Sequence, residues 1–542
     1  MRWLGRLARA LPAFVAILPF AVSVLAHLDF VPLWDGVVYS QCIHNAVSSH
    51  DVESLMCQGH SSVVYFGIVA AFSAIAHEAP VATILVNLGL GIAAILAFLR
   101  IARLLFPESE LVERTLLATA FSAGPVLVAN ALNLSPDYGM AAFSLLALLG
   151  LLERRRALTV IGGLGMTFSK EPGIALFAVA AGAYLLTYGR RPSPAWTGWR
   201  DAIRFHLPLL GVPAALILYL GGRALAHLPL VWNAAVGAHS GINPFQVTDR
   251  TFISYLALAF VLNFAWLPAL LAALFGLRSL GSRLLHHPRP WLRWQITSDA
   301  GARGWFLWLV LAGDLYMLTR VRTFSIPRYF LALSPILLLT AWHSALALRI
   351  WRRGREVMLA AYVALLLVST YHTIDPLSKR IYGTFAFGDH SLLTMTSITH
   401  EGFGYGRDQL VYNLQFTEIH SLLNDVLGDL RPKAPALVVV PFLSWDAEVL
   451  PAVDSQHSHR DLPRAGTDSL YVREEIELAL GHVKPLPPVI YYIELPYIDT
   501  SIVTGGLANL RLGYDLTGSR LYQRDGYALR VDTLVLPTGT GR

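Results

Sequence analysis

The sequence predicts a mostly α-helical protein, in which a polytopic bundle of membrane helices precedes a small α/β domain. Hydrophobic residues make up 55% of the 542 residues and charged residues only 14%, and the mean hydropathy is +0.51. Apolar segments of roughly 16–22 residues, a length that suits a helix crossing a ~30 Å hydrocarbon layer, recur up to His372. From residue 373 onward no apolar run reaches that length.

About eleven membrane spans are predicted. Met1–Arg9 is basic and Leu11–Leu28 is apolar, and we predict a first span with its N-terminus inside because no small-residue cleavage site precedes Asp29. Ser61–Ala76 is apolar but short, so it is left open whether this segment crosses the membrane or lies at its surface. The later predicted spans are Ala79–Leu99, Leu116–Leu134, Tyr138–Leu152, Leu158–Phe168, Ile174–Tyr188, Phe205–Leu225, Phe252–Phe275, Trp305–Leu318, Tyr329–Leu348 and Val357–Tyr371.

Basic residues between the spans predict the orientation. The arginines of 154–156, 190–191, 278–303 and 349–355 fall on one side if the spans alternate without 61–76, and cytoplasmic loops are the ones enriched in Lys and Arg. The formal net charge of +6 and the pI of about 9.2 are therefore attributed to these loops and not to nucleic-acid binding. The protein is expected in a membrane, most simply a bacterial inner membrane, with its C-terminal domain outside the cytoplasm.

Two domains are predicted, a transmembrane domain of residues 1–372 with a first outer loop at 29–60, and a soluble α/β domain of residues 373–542. Apolar residues at helical spacing predict a helix over Gln409–Leu430. Ala436–Phe442 and Pro488–Glu494 have the composition of buried strands. A hairpin is predicted from Leu521–Gln523 and Tyr527–Leu536, which flank an Asp-Gly turn signal.

The first outer loop carries Asp35, beside an apolar surface and next to a flexible glycine. A carboxylate there is suited to accept a proton from an acceptor hydroxyl, but an aspartate capping the following helix is an equally good interpretation. Cys42 and Cys57, the chain's two cysteines, lie in the same short polar segment, and a disulfide between them is predicted for an oxidising compartment.

Two further polar groups interrupt the apolar stretches on the outer side. Asp137 is a candidate catalytic acid, although Ser-Pro-Asp is also a good helix start. Lys170 stands before Glu171, Pro172 and Gly173, where a helix N-terminus and a lysine together suit a phosphate. The alternative is a Lys-Glu pair that neutralises itself at a turn.

Three arginines lie on the side that should be poor in them, namely Arg320, Arg322 and Arg328, the last followed by Tyr329. The planar guanidinium group matches phosphate oxygens, so we favour phosphate binding over side chains that merely reach the membrane surface. His60 and His239 are isolated, and no spacing of ligands resembles a closed zinc site. No cofactor is certain, and a divalent metal ion is left open.

A first-loop aspartate, a Pro-Asp turn, Ser169-Lys-Glu-Pro-Gly173 and Arg328-Tyr329 before Pro335 occur in this order. This layout, over roughly residues 10–345, resembles the GT-C class of integral-membrane glycosyltransferases, in particular the protein mannosyltransferase and aminoarabinose transferase branch. The resemblance implies Asp35 as the first-loop catalytic acid and Lys170 and Arg328 as ligands of a carrier phosphate. Many relatives have an acidic pair in that loop. Here Gly36 follows Asp35, and Glu53 is the candidate that could substitute.

The expected function is the transfer of a sugar from a polyprenyl-phosphate carrier to a glycan, lipid or protein acceptor outside the cytoplasm. Membrane lipid is the other expected partner. A transporter or lipid flippase would also explain many spans, but it would not readily explain an outer domain of about 170 residues, and no paired half-repeats are visible. A non-catalytic scaffold whose outer domain binds a partner is the remaining alternative.

Overall fold

The chain was analysed in a computed structural model. The described residues are 2–28, 30, 32, 35–57, 62–76, 79–189, 199–228, 250–286, 299–320, 327–371, 377–378, 380, 384–387, 390–393, 410–430, 436–439, 471–473, 488–494 and 513–537. They form two compact units. The first comprises Met1–Phe30, Cys42–Gly383 and Leu393–Val411, and the second comprises Val31–Gln41, Thr384–Leu392 and Tyr412–Arg542.

The first unit is helical. Its helices follow the predicted apolar segments except for α2, which lies in the predicted first outer loop and begins in residues assigned to the second unit. They are α1 Arg2–Leu25, α2 Asp35–Ser49, α3 Val63–Ala76, α4 Ala79–Leu105, α5 Leu111–Ser122, α6 Pro125–Leu132, α7 Pro136–Glu153, α8 Arg156–Thr167, α9 Pro172–Tyr184, α10 Trp199–Leu225, α11 Arg250–Phe260, α12 Trp266–His286, α13 Asp299–Arg320, α14 Leu333–Ala347 and α15 Arg352–Tyr371. The pairs α4–α7, α7–α8 and α9–α13 pack closely.

Several predicted spans are broken. Leu116–Leu134 forms α5 and α6, which meet at an angle of 51° where Pro125 begins a new helix. Phe252–Phe275 forms α11 and α12, because Asn263 and Phe264 adopt left-handed backbone conformations with φ of 56° and 61°. Asparagine tolerates this conformation better than most residues, and it lies in the break between the end of α11 at Phe260 and the start of α12 at Trp266.

Within the described part of the chain, the helix of Val81–Leu105 is long and apolar enough to cross a membrane by itself, with a mean hydropathy of 2.3. The bent pair α5–α6 qualifies if it is counted as one span. The shorter apolar helices are Ala10–Leu25, Val63–Ala76, Pro172–Tyr188, Leu209–Leu225, Trp266–Ser279 and Leu333–Ala347. The count of about eleven spans therefore stays a prediction.

The segment predicted as the first outer loop is largely helical. α2 forms because Tyr39 and Ile43 recur at helical spacing, and both are buried. A 3-10 helix of Val52–Leu55 follows, and the carboxylate of Asp51 caps it by accepting the amide of Glu53 at 2.9 Å. The sulfur atoms of Cys42 and Cys57 are bonded, with their Cα atoms 5.9 Å apart, so this segment is a closed covalent loop.

The second unit contains the predicted helix, which we call α16, Leu410–Leu430, and a five-stranded sheet in the order β4-β3-β5-β7-β6. The strands are β3 Ala436–Val439, β4 Tyr471–Arg473, β5 Val489–Glu494, β6 Asp515–Arg524 and β7 Tyr527–Val535, and a separate hairpin pairs β1 Thr384–Phe387 with β2 His390–Leu393. β3 is parallel to β4 and β5, and β7 is antiparallel to β5 and β6. The predicted hairpin is confirmed, with a two-residue turn of Asp525 and Gly526 at positive φ.

Glycines allow α7 and α8 to approach each other closely. A Cβ atom at Gly162 would overlap the backbone nitrogen of Ala147, and one at Gly150 would overlap the backbone of Thr159. Arg154, in the left-handed conformation, ends α7 and reverses the chain into α8. Small residues at such an interface are the usual way for membrane helices to gain van der Waals contact.

Replacement of Gly162 by Ala should therefore force these helices apart. We expect Gly162→Ala to cost about 1–3 kcal/mol of stability, the range for overpacking a core, and to lower the thermal unfolding temperature of the purified protein. Gly182→Ala is the matched control, because a Cβ at Gly182, in α9, meets nothing within 4 Å. Equal unfolding temperatures for the two variants would contradict the close packing of α7 on α8.

Candidate functional site

Four predicted site residues lie together in the first unit, and we call Asp137, Lys170, Arg328 and Tyr329 the polar cluster. Each comes from an interruption of the helical bundle. Asp137 is in the first turn of α7, Lys170 lies in the break between α8 and α9, and Arg328 and Tyr329 belong to a 3-10 helix, Pro327–Phe330, before α14. The junctions between the predicted spans are therefore the places that supply these polar side chains.

One carboxylate oxygen joins the two cations of the polar cluster. Nζ of Lys170 donates a hydrogen bond to Oδ2 of Asp137, and Nε of Arg328 lies 3.6 Å from the same oxygen. The Tyr329 ring is shared in a similar way. Its centroid lies 4.7 Å from Nζ of Lys170 and 5.6 Å from Cζ of Arg328, both within the range of a cation–π interaction.

The polar cluster is almost completely removed from solvent. The exposed fraction is 0% for Asp137, 3% for Lys170, 3% for Arg328 and 9% for Tyr329. A buried charge is costly unless it is paired. The ion pairs meet this need, and the three groups together carry two positive charges and one negative charge. Glu171, directly after Lys170, is buried as well, with 5% exposed. The polar cluster therefore brings two cations together in the interior of the first unit.

Asn87, which the sequence analysis missed, holds the segment that carries Asp137. Its amide donates to the carbonyl oxygens of Ala131 and Asn133, each at 3.0 Å. The side-chain oxygen of Asn87 accepts a hydrogen bond from the hydroxyl of Tyr65 at 2.8 Å. The backbone carbonyl of Asn87 accepts one from the hydroxyl of Tyr138 at 2.7 Å. The signal was present, because an asparagine in the middle of an apolar span needs polar partners inside the protein.

The turn that carries Lys170 is shaped by its own backbone. The amide of Lys170 donates to the carbonyl of Met166 at 3.3 Å, and the amide of Gly173 donates to the carbonyl of Lys170 at 2.9 Å. A Cβ atom at Gly173 would overlap the carbonyl oxygen of Met166, so only glycine fits this position. The Pro172-Gly173 pair thus starts α9. We call the tight turn of residues 168–173, which carries Lys170, the lysine turn.

Glu53 has a different partner. Its carboxylate forms two hydrogen bonds with the guanidinium group of Arg223, each 3.0 Å long, at the C-terminal end of α10. Arg223 was not among the sequence-predicted site residues. The ion pair joins residues 170 positions apart, and no local pattern indicates such a contact.

The side chains of Asp35 and Arg320 lie outside the described residues, although Asp35 begins α2 and Arg320 ends α13. Arg322, His60 and His239 lie outside the described residues altogether. Among the side chains that the structure does describe, no group of three or more His, Cys, Asp and Glu residues is placed to hold a metal ion.

The shared carboxylate can be tested through stability. Asp137→Asn should leave Lys170 and Arg328 buried beside each other without their common counter-ion, at a cost of about 3–5 kcal/mol. Addition of Lys170→Met should recover part of this loss because it removes one of the two cations. Thermal unfolding in detergent measures both effects.

Asp429→Asn is a matched control, because it weakens an exposed ion pair, 2.9 Å from Arg520, that should contribute no more than about 1 kcal/mol. An unfolding temperature of Asp137→Asn equal to that of the wild type would refute the shared ion pair.

Comparison with known proteins identifies a similar fold. The crystal structure of ArnT from Cupriavidus metallidurans bound to undecaprenyl phosphate matches with a TM-score of 0.53 over 96% of this chain and 97% of that chain, at 13% sequence identity. No family model matches the sequence, and no curated protein matches it. The chain therefore has an ArnT-like fold, and the GT-C-like fold that the sequence resembles is confirmed.

Proposed function

We propose that this protein is an integral membrane glycosyltransferase that moves a sugar from a polyprenyl-phosphate carrier to an acceptor on the outer face of the membrane. The observation that carries the proposal is the buried pair of cations, Lys170 and Arg328, in a chain with the fold of ArnT. That similar protein was crystallised with undecaprenyl phosphate. A phosphate on a lipid is the ligand that a buried cationic site inside a membrane bundle would be expected to take.

The surface of the first unit supports a membrane location. One face of α1 exposes large apolar side chains at helical spacing, while Phe20 and Val24 on the opposite face are buried. The exposed residues of this face are Leu11, Phe14, Leu18, Val22 and Leu25. α10 and α12 also expose large apolar side chains, among them Leu218 and Leu277. Soluble monomers rarely expose contiguous apolar surfaces of this kind, and lipid tails are a suitable covering for them.

The proposed role of the cations is to stabilise the departing phosphate. Arg328 offers several donors in one plane, and Lys170 offers a compact positive charge. Negative charge grows on the phosphate as the glycosyl bond breaks, so fixed cations stabilise the transition state more than the ground state. Arg320, Arg322 and Tyr329 are proposed to extend the same phosphate site.

Asp35 is the proposed general base. In a direct displacement, its carboxylate takes the proton of the acceptor hydroxyl while the acceptor oxygen attacks the anomeric carbon. The bond between that carbon and the phosphate oxygen breaks, and the polyprenyl phosphate leaves with the bonding electrons. This single displacement inverts the anomeric centre.

Asp137 receives a different proposed role from the catalytic acid that its sequence position suggests. Its carboxylate is completely buried and is bound to Lys170 and Arg328, so it is better placed to orient these two cations than to accept a proton. A group that fixes phosphate ligands before the substrate arrives contributes by preorganisation.

A transfer assay with Asp35→Asn tests the proposal. Purified protein in lipid nanodiscs would be incubated with a panel of polyprenyl-phosphate sugars and acceptors, and release of polyprenyl phosphate would be measured. We expect transfer by the wild type with at least one donor, and a loss of roughly 100- to 10,000-fold in Asp35→Asn, the range for a removed general base.

Asp525→Asn is the control. The Asp525 side chain is 81% exposed in the turn between β6 and β7, where asparagine also adopts the positive φ, so transfer by this variant should stay close to that of the wild type. Near-normal turnover by Asp35→Asn would reject Asp35 as the base. Lipid translocation without sugar transfer by the wild type would favour a flippase.

A further inference from the structure

We propose that Glu53 is a positioning residue and not a second catalytic acid, and that with Arg223 it forms a latch holding the first outer loop against the lysine turn. This inference rests on the proposed function for its consequence in catalysis. The latch consists of Glu53 and Met56 in the loop, Tyr219 and Arg223 on α10, and Phe168 at the end of α8. All five of these residues belong to the first unit.

The ion pair is the strongest contact of the latch. The two terminal guanidinium nitrogens of Arg223 donate to the two oxygens of the Glu53 carboxylate, each at 3.0 Å, a two-point geometry that fixes the orientation of both groups. Only 6% of the Arg223 side chain is exposed, compared with 46% for Glu53. Arg223 also lies in the last turn of α10, where the helix dipole favours a cation. The buried arginine therefore anchors the more exposed glutamate.

Aromatic contacts continue from the ion pair to the lysine turn. The Tyr219 hydroxyl donates to the sulfur of Met56 at 3.3 Å, and the Tyr219 ring lies edge-on to Phe168 with 5.2 Å between the ring centroids. The carbonyl of Phe168 accepts the amide of Val64 at 3.0 Å, which ties the start of α3 to the same point. Phe168 stands two residues before Lys170.

The loop side of the latch is rigid. The disulfide closes the loop from Cys42 to Cys57, and Glu53 lies inside this closed segment. The side chain of Asp51 holds the 3-10 helix by accepting from the amide of Glu53 and from the hydroxyl of Ser54, at 2.9 Å and 3.0 Å. A carboxylate held this firmly by Arg223 is poorly placed to accept a substrate proton, because protonation would weaken the pair.

Exchanging the charges of Glu53 and Arg223 distinguishes a positioning role of Glu53 from a role as a catalytic acid. Glu53→Arg and Arg223→Glu each place like charges against each other, and we expect each to raise the KM for the carrier and to lower kcat/KM by roughly 10–100-fold, the range for a small misplacement of a catalytic group. The double variant restores an ion pair with reversed charges and should recover most of this loss. Arginine cannot act as a base, so recovery would exclude a proton-transfer role for Glu53.

A readout independent of catalysis is hydrogen–deuterium exchange of the amides of Lys170 and Gly173. Both amides are hydrogen bonded within the turn, so each single variant should accelerate their exchange and the double variant should slow it again. Glu53→Gln, which keeps the side-chain volume, provides the comparison if Arg223→Glu does not fold. The control is a reversal of the charges of Arg352 and Glu356, whose side chains pair at 2.9 Å. It should change neither the transfer kinetics nor the amide exchange of Lys170 and Gly173.

The outcomes distinguish the two proposals. Lost transfer in every variant without an acid at position 53, with unchanged amide exchange, would overturn the latch and make Glu53 catalytic. Unchanged exchange and unchanged transfer in both single variants would overturn the latch as well. Faster exchange in the single variants and recovery in the double variant would establish it, even if the wild type transferred no sugar and only the proposed function failed.

Discussion

The first unit depends on a single carboxylate that two cations share. Asp137 is fully buried, and without it Lys170 and Arg328 would lose their common counter-ion in the interior of the protein. The three residues come from three separate interruptions of the bundle, so their ion pairs connect α7, the break before α9 and the segment before α14. A contact that joins distant parts of the chain in this way constrains the surrounding helices to one arrangement.

The interruptions themselves follow from a few residue types. Proline begins α6, α7 and α9 and prevents the preceding helix from continuing, while Asn263 ends a helix by adopting a left-handed conformation. Glycine has a different role at Gly162 and Gly173, where the absence of a side chain lets the backbone approach Ala147 and Met166 closely. Helical backbone hydrogen bonding is interrupted at these breaks. The polar side chains found there, such as Asp137 and Lys170, are buried in the interior. Asn87 shows the other route, because it reaches its buried partners from within the unbroken helix α4.

The sequence was sufficient to predict most of the helices, several strands and the polar residues that form the polar cluster, but not α2, β1, β2 or β4. Lysine and glutamate inside an apolar stretch, followed by proline and glycine, indicated the break at Lys170. The helix of Leu410–Leu430 was predicted nearly to its ends, as was the second strand of the C-terminal hairpin, but the first strand begins at Asp515 and not at Leu521. The pairing of Asp137 with Lys170 and Arg328 was not predictable, because spacing along the chain carries no information about distances across a bundle.

Two other features were missed for physical reasons. Asn87 was hidden by the hydropathy of its span, which averages over a window and conceals one amide. α2 was taken for a loop because polar residues follow the buried Tyr39 and Ile43 and conceal their helical spacing.

The central claim is that the polar cluster holds the phosphate of a polyprenyl carrier. The most direct measurement is an experimental structure of the wild-type protein in nanodiscs with a polyprenyl phosphate bound. The account predicts phosphate density within about 3 Å of Nζ of Lys170 and of the Arg328 guanidinium group, the distance of a charge-assisted hydrogen bond. Phosphate density elsewhere, with the three charged side chains still closed on one another and the lipid chain bound, would contradict it.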